Sequence, residues 1–445
     1  MSKLTSQQRK WIYVGGIVLL LVPIIWLGSP STGKEGSGGV LAKLRQPPPV
    51  GYDLGETTIG DVDPTSSAMN LVLLGLRGVA TNLLWMDAIE HQKTKNFGQL
   101  RADVESIILL QPHFLAVWDH HGWNLAYNVS AEWDGVADRY YWVKEGGKFL
   151  MRGSARNQRY PELYWKTGRI MGPKIGQSDE WRQFREFFRK DPNEKEFKGR
   201  PDPGVNPNDK DNYIVAHDWY SQSNDVEDTQ EQHVMSRILF RQQKSQSLID
   251  FADVQHREGI FDEVASRAWQ DARDVFIGEY GQEEYQTPGG RIIQEATPQS
   301  TLRLAEEQGV SPKLIAYWTV RYQNVSNYRT WRTRLISESV PATGQGHRAL
   351  YHGRELFKEG KFAEAQASLE RGMAIYEKLL QRFPSLLSDD ATIDEVLGSV
   401  LYWRYVFELR EAPIPNNYPL KEWWEKEQGR LVRLDQNFRR ELGLN

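Results

Sequence analysis

Residues 349–384 read ALYHGRELFKEGKFAEAQASLERGMAIYEKLLQRFP, and this stretch constrains the fold most. Small residues stand at Gly353, Gly360, Ala365 and Gly372, with large apolar ones at Leu356, Phe362 and Leu369. That cadence predicts two antiparallel helices in close contact, with Gly360 at the turn. Small side chains let helix backbones approach, and large ones fill the gaps between ridges. The expected class is all-α.

A chain of 445 residues suits a stack of such hairpins or two domains. Charged residues make up 26% and hydrophobic ones 40%, a globular balance, and the net charge of −4 argues against a nucleic-acid surface. The 16 Trp and 19 Tyr serve equally as core filler or as binding anchors. Cysteine is absent, which excludes disulfides, thiolate metal sites, iron–sulfur clusters, covalent haem, lipoprotein acylation and cysteine nucleophiles.

Lys3, Arg9 and Lys10 precede an uncharged run over residues 11–27 whose one breaker is Pro23. At about 1.5 Å per residue the run just reaches across a hydrocarbon core of about 30 Å. Trp11 and Trp26 fall where interfacial aromatic belts lie. The run predicts one amino-terminal transmembrane helix, with the tail (residues 1–10) cytoplasmic and the bulk of the chain outside the inner membrane. A cleaved signal peptide is the alternative; no A-x-A site follows the run and Leu27-Gly28-Ser29-Pro30 is a poor substitute, which leaves Ser29-Pro30-Ser31 as the candidate cleavage site. Residues 28–65 begin with a Gly/Ser/Pro-rich tether and read as a flexible linker. Residues 69–89 are apolar but carry Asn70, Arg77, Asn82 and Asp87, so a buried helix is expected there rather than a second span.

Beyond this the helices are expected in pairs, as a region over 66–189, a polar loop over 190–212 and a second region over 213–445. Segments 83–91 and 100–110 form one pair, and 114–127 with 140–153 another. The endings LLQP, NQRYP and LQRFP mark unit boundaries, because proline blocks helix continuation. Trp118 stands four residues before Gly122 and Tyr164 four before Gly168; Ala349 keeps that spacing to Gly353. GIFDE at 259–263 echoes GKFAE at 360–364, each with a turn glycine two residues before a Phe that closes the hairpin. Residues 287–300 are irregular, with room for a short strand. Residues 312–338 read as one long helix, and the last helices fall near 393–411 and 420–434.

The Gly353–Gly372 unit resembles the tetratricopeptide repeat (TPR), departing from it at Ala349, where a large residue is usual, and in a longer second helix. Segments 83–112, 118–161 and 248–272 resemble it more weakly. The resemblance implies an irregular TPR-like α-solenoid of helical hairpins whose inner face binds partners. A second likeness lies in MNLVLLGLRGVATNLLWMDAIEH and WNLAYNVSAEWD. These resemble an uncharacterised family of membrane-anchored planctomycete proteins, some carrying an automated "iron responsive element" label. That label names an RNA element, and no RNA-binding motif or basic charge here supports it. This likeness implies a lineage and no biochemistry.

His120 and His121 point about 100° apart on a helix, and no HExxH accompanies them, so they read as structural. NPNDKDN at 206–212 is rich in oxygen ligands but lacks the glycine and the glutamate of a calcium loop, so it reads as a solvated loop. Glu132, Asp134 and Asp138 beside Trp133 and the aromatics at 140–142 invite comparison with helical-barrel glycosidases. No G-x-S-x-G, P-loop or dinucleotide turn appears. No catalytic or metal residue and no cofactor is assigned. The sequons at Asn128 and Asn324 carry no weight.

If each first helix lines the concave face, residues one after or three before its packing glycine face a partner. This selects Asp119, Trp123, Trp165, Arg169, Leu350 and Arg354, with Phe357 and Lys358 one turn on. Trp and Arg are common interface anchors, although both Trp residues also suit a helix core. The functional expectation is a non-catalytic, membrane-tethered scaffold recruiting a protein or cell-envelope partner. A carbohydrate-binding or carbohydrate-cleaving envelope protein is the competing reading.

Overall fold

The computed structural model describes residues 77–443 apart from 231, 232 and 235, with scattered positions before them. The tail, anchor and linker expected over 1–65 lie outside that described stretch. Among the described residues no helix is long and apolar enough to cross a membrane. Helices dominate, and the one sheet described is a two-stranded hairpin. The all-α expectation holds at that level. The chain divides into two compact units, with the boundary between Lys166 and Thr167.

The first unit comprises α1 (Arg77–Lys93), α2 (Phe97–Leu110), α3 (Leu115–Trp123), α4 (Val136–Arg156) and the opening turns of α5 (Pro161–Arg169). A π-helical segment, Asn124–Val129, prolongs α3. The LLQP boundary is held by hydrogen bonds. The buried Trp118 indole donates to the Pro112 carbonyl at 2.8 Å, and the Asn157 side chain donates to the same oxygen at 3.1 Å. The expectation of a buried opening helix is corrected in part. Thr81 and Ala88 face inward, whereas Val79, Leu83 and Met86 form an exposed stripe at helical spacing.

The second unit takes up the end of α5 and the π-helical segment Ile170–Lys174, and continues with α6 (Trp181–Arg189), α7 (Asn212–Asp228), α8 (Arg237–Arg257) and α9 (Glu263–Gly278). The strands β1 (Glu284–Thr287) and β2 (Gly290–Ile293) pair antiparallel, with Tyr285 opposite Ile292. Then come α10 (Pro298–Gln308), α11 (Pro312–Val325), α12 (Tyr328–Glu338), α13 (Pro341–Lys358), α14 (Phe362–Arg382), α15 (Asp390–Leu409), α16 (Lys421–Lys426) and α17 (Gln428–Glu441).

Two hairpins, α8/α9 and α13/α14, share one construction. Each turns at a glycine in the left-handed region, Gly259 at φ +80 and Gly360 at φ +76, where a side chain is strained. Each turn is followed by a phenylalanine that folds back on the ring five residues earlier. Phe362 meets Phe357 edge-on at 5.4 Å, and Phe261 stacks on His256 at 5.3 Å. Asp262 caps α9 by accepting from the Val264 and Ala265 amides.

Close approach in α13/α14 is reciprocal. A Cβ added at Gly353 would lie 2.6 Å from Leu369 Cγ, and one added at Gly372 would lie 2.7 Å from Leu350 Cγ. Leu350, Ala365 and Leu369 are fully buried in this seam.

The single helix expected over 312–338 is two. Asn327 takes the left-handed conformation at φ 51, which ends α11 and starts α12 in a new direction. The carbonyl of Ser326 freed by the break accepts from the buried Gln242 side chain at 3.1 Å. The helix expected over 420–434 is likewise split, with Leu420 at φ 68 and a boundary at Glu427. The polar segment 190–212 is tied down. Asn206 is buried, donates to the Phe188 and Lys210 carbonyls and accepts from the Lys210 amide. Those contacts engage the Asn206 side-chain oxygen and the Lys210 carbonyl within the segment itself.

Candidate functional site

An open groove of about 830 Å³ lies in the second unit, bordered by α6, α8, α13, α15 and α17. Its charge is uneven. Glu258 pairs with Arg185 at 2.8 Å, Glu355 with Lys358 at 3.2 Å and Asp394 with Arg433 at 2.7 Å. By contrast, the guanidiniums of Arg182 and Arg257 lie over the Trp181 ring, 5.1 and 4.0 Å from its centre. Neither has a carboxylate within ion-pair distance among the described residues. Arg354, on α13 in the same groove, has its nearest carboxylate oxygen, on Glu395, at 3.8 Å. The uncommitted charge in the groove is therefore positive.

The sequence-selected residues divide between the units. Arg354 and Lys358 line the groove. Leu350 and Phe357 do not, because both are buried in the helix seam. The reason is helical geometry. Residues three before and four after Gly353 share its inward face, whereas Arg354 and Lys358 are turned about 100° and about 140° from it. The same rule orders the first unit. Trp123 is 48% exposed and stacks on Tyr127, while Asp119 is half-buried and ion-paired with Lys166. Trp165 is half-buried, and Arg169, which belongs to the second unit, is exposed. The structure thus brings only Arg354 and Lys358 together at one site.

A cluster that the sequence reading missed lies at the inner end of the groove, in a connected cavity of about 280 Å³. Glu338 ends α12, His347 stands on α13, Tyr376 on α14, Glu395 on α15 and His256 near the end of α8. His347 lies 3.0 Å from Glu338 through Nε2 and 3.0 Å from Glu395 through Nδ1. The Tyr376 hydroxyl is 2.8 and 2.9 Å from the two ring nitrogens.

Burial alone would lower the His347 pKa, but the carboxylates of Glu395 and Glu338 outweigh it and hold it up at about 10. Burial would raise Glu395, and His347 brings it down to about 2; Glu338 is held low in the same way. The metal-free cluster is therefore an imidazolium between two carboxylates. His256 differs. Burial, then the charge of His347, push it down to about 4, so its ring is neutral. Packing holds it, with Phe261 at 5.3 Å, Trp269 at 5.8 Å and His347 at 4.3 Å between ring centres.

No short-range motif announces this cluster, because its members come from five separate helices. One signal was present in the hairpin echo: His256 occupies the place in the first hairpin that Phe357 occupies in the second. In the first unit, His121 is buried edge-on to Phe149 and lowered to about 3 by burial and by His120. Glu132, Asp134 and Asp138 are exposed, and Glu132 pairs with Lys95 at 2.6 Å. Trp133, 41% exposed, stacks on Trp142. No protein-family model matches this chain, and no curated protein matches it.

Proposed function

We propose that this protein is a membrane-tethered, TPR-like helical scaffold whose second unit docks an acidic polypeptide segment. The observation that carries the reading is the groove's uncommitted positive charge on aromatic support. Arg182 and Arg257 flank Trp181 without ion-pair partners among the described residues, and Arg354 lines the same groove. An acidic segment entering there supplies the missing carboxylates. Guanidinium–carboxylate pairs are geometrically specific, and a ring-supported guanidinium is already oriented for them. Charge of this kind also steers encounter, so association should weaken as salt rises.

The turn glycines, the reciprocal Gly353/Gly372 seam and the repeated Phe closure support the hairpin-repeat part of the reading. The apolar run over residues 11–27, preceded by Lys3, Arg9 and Lys10, supports a tether with the scaffold on the outer side of the inner membrane. The carbohydrate reading draws on Trp123 and Trp133 in the first unit; in the groove itself, the Trp181 ring is covered by Arg257 rather than open for sugar stacking.

The test is fluorescence anisotropy with three labelled peptides of equal length, rich in Asp/Glu, neutral and rich in Lys. The acidic peptide should bind best, and Arg257→Glu with Arg354→Glu should weaken it at least tenfold. Equal binding of all three, or binding indifferent to the charge reversals, refutes the proposal.

A further inference from the structure

We infer that His256, Glu338 and His347 form a binding site for one divalent first-row transition-metal ion of the zinc class. Each offers a ligand atom, and these atoms all lie within 4.8 Å of one another. His347 Nε2 stands 3.0 and 3.2 Å from the two Glu338 oxygens. Neighbouring ligands about 2.0–2.2 Å from a zinc-sized ion are separated by much the same distance.

The His347–Glu338 contact by itself is also a good ion pair, and the deciding residue is His256. Its ring nitrogens form no hydrogen bond or ion pair among the described residues, yet the ring is fixed by Phe261 and Trp269 and lines the cavity beside His347. At the equivalent place in the α13/α14 hairpin the chain carries Phe357, which satisfies the packing without a nitrogen. A rigid imidazole with no protein partner, aimed at a second imidazole and a buried carboxylate, is a ligand set lacking its ion.

Two nitrogens and one carboxylate, without thiolate, suit Zn²⁺, Co²⁺, Ni²⁺, Fe²⁺ or Mn²⁺ rather than Ca²⁺ or Mg²⁺. Glu395, 3.0 Å from His347 Nδ1, is placed as the outer carboxylate that orients a ligating histidine. The ion would replace the proton on Nε2, which leaves to solvent. His256, Glu338 and His347 all line the cavity of about 280 Å³. The neighbouring cation Arg334 is engaged by Asp253 at 2.6 Å.

Co²⁺ is the probe, because its visible bands report nitrogen/oxygen coordination of low symmetry. The purified full-length protein, stripped with chelator, should take up one Co²⁺ per chain, develop those bands and melt at a higher temperature with the ion. His256→Phe keeps the ring packing and removes the nitrogen. It should lower Co²⁺ affinity at least a hundredfold while leaving the metal-free melting temperature nearly unchanged. Glu395→Gln should weaken affinity by about 10–100-fold, the usual effect of an outer-shell change. No stoichiometric uptake by the wild type, or uptake that His256→Phe leaves unaltered, overturns the site and assigns any bound ion to surface histidines.

Discussion

Gly353→Ala and Gly344→Ala make the same change on the same helix, and the α13/α14 seam predicts opposite signs for them. In a helix interior, glycine to alanine gains about 1 kcal/mol of propensity. At Gly344 nothing lies within 4 Å of the added Cβ, so that gain is free to appear. At Gly353 the Cβ would lie 2.6 Å from Leu369 Cγ, 2.7 Å from its Cδ2 and 3.1 Å from its backbone nitrogen. Carbon atoms in good contact are about 3.5–4.0 Å apart, so α14 must shift or Leu369 must leave its rotamer. Overpacking of this kind costs about 1–3 kcal/mol, and a backbone atom in the clash favours the upper half. Net destabilisation of about 1–2 kcal/mol should remain. For a unit of this size each kcal/mol moves the melting temperature by about 2–4 °C. Thermal unfolding followed by circular dichroism should place Gly344→Ala above wild type and Gly353→Ala below it. If both variants rise together, α13 and α14 are not in the register described.

Other consequences follow from buried groups. Ala365→Leu, at a fully buried position in the same seam, should cost about 1–3 kcal/mol in chemical denaturation, and an unchanged midpoint would place Ala365 outside the contact. Glu227 is fully buried and shared by Arg237 and Arg241, so Glu227→Gln should cost about 3 kcal/mol or more in the same assay. Burial raises the Glu227 pKa, but its hydrogen bonds to Arg241 and Arg237 leave it below the usual value. Its stabilisation is therefore present above pH 4.5 and lost as pH falls through the lower folded value; Glu227→Gln should flatten the acid limb, and an unchanged limb counts against the ion-pair account. His121, depressed to about 3, is neutral in the fold while the unfolded chain takes up a proton below about 6.5. Stability should fall by about 2 kcal/mol between pH 7 and 5, and His121→Gln should remove that slope. A slope retained in the variant would clear His121.

The hairpins were legible because their determinants are local. A turn glycine, a Phe two residues on and small residues at helical spacing fix Gly259/Phe261 and Gly360/Phe362 without reference to the rest of the chain. The break at Asn327 was not legible. Apolar periodicity runs through it, and the break is stabilised by Gln242 and Gln294, which approach Ser326 from distant segments. The groove was half legible. The rule that counts from the packing glycine selected Arg354 and Lys358, which line the groove, but also Leu350 and Phe357, which are buried, because it treated different helix faces as one. Trp181 and Arg257 went unselected, since neither stands near a packing glycine. The histidine–glutamate cluster depends entirely on tertiary contact among helices far apart in sequence.

The groove's role is tested most directly at Gly398. This residue lines the groove, and nothing lies within 4 Å of a Cβ added there, so a photoreactive side chain fits. Gly344, equally open but away from the groove, is the control. After irradiation with a labelled Asp/Glu-rich peptide, crosslinking should occur at position 398 and not at 344, and Arg257→Glu should suppress it. Equal labelling at both positions, or none at 398 while the peptide still binds, would contradict docking in this groove.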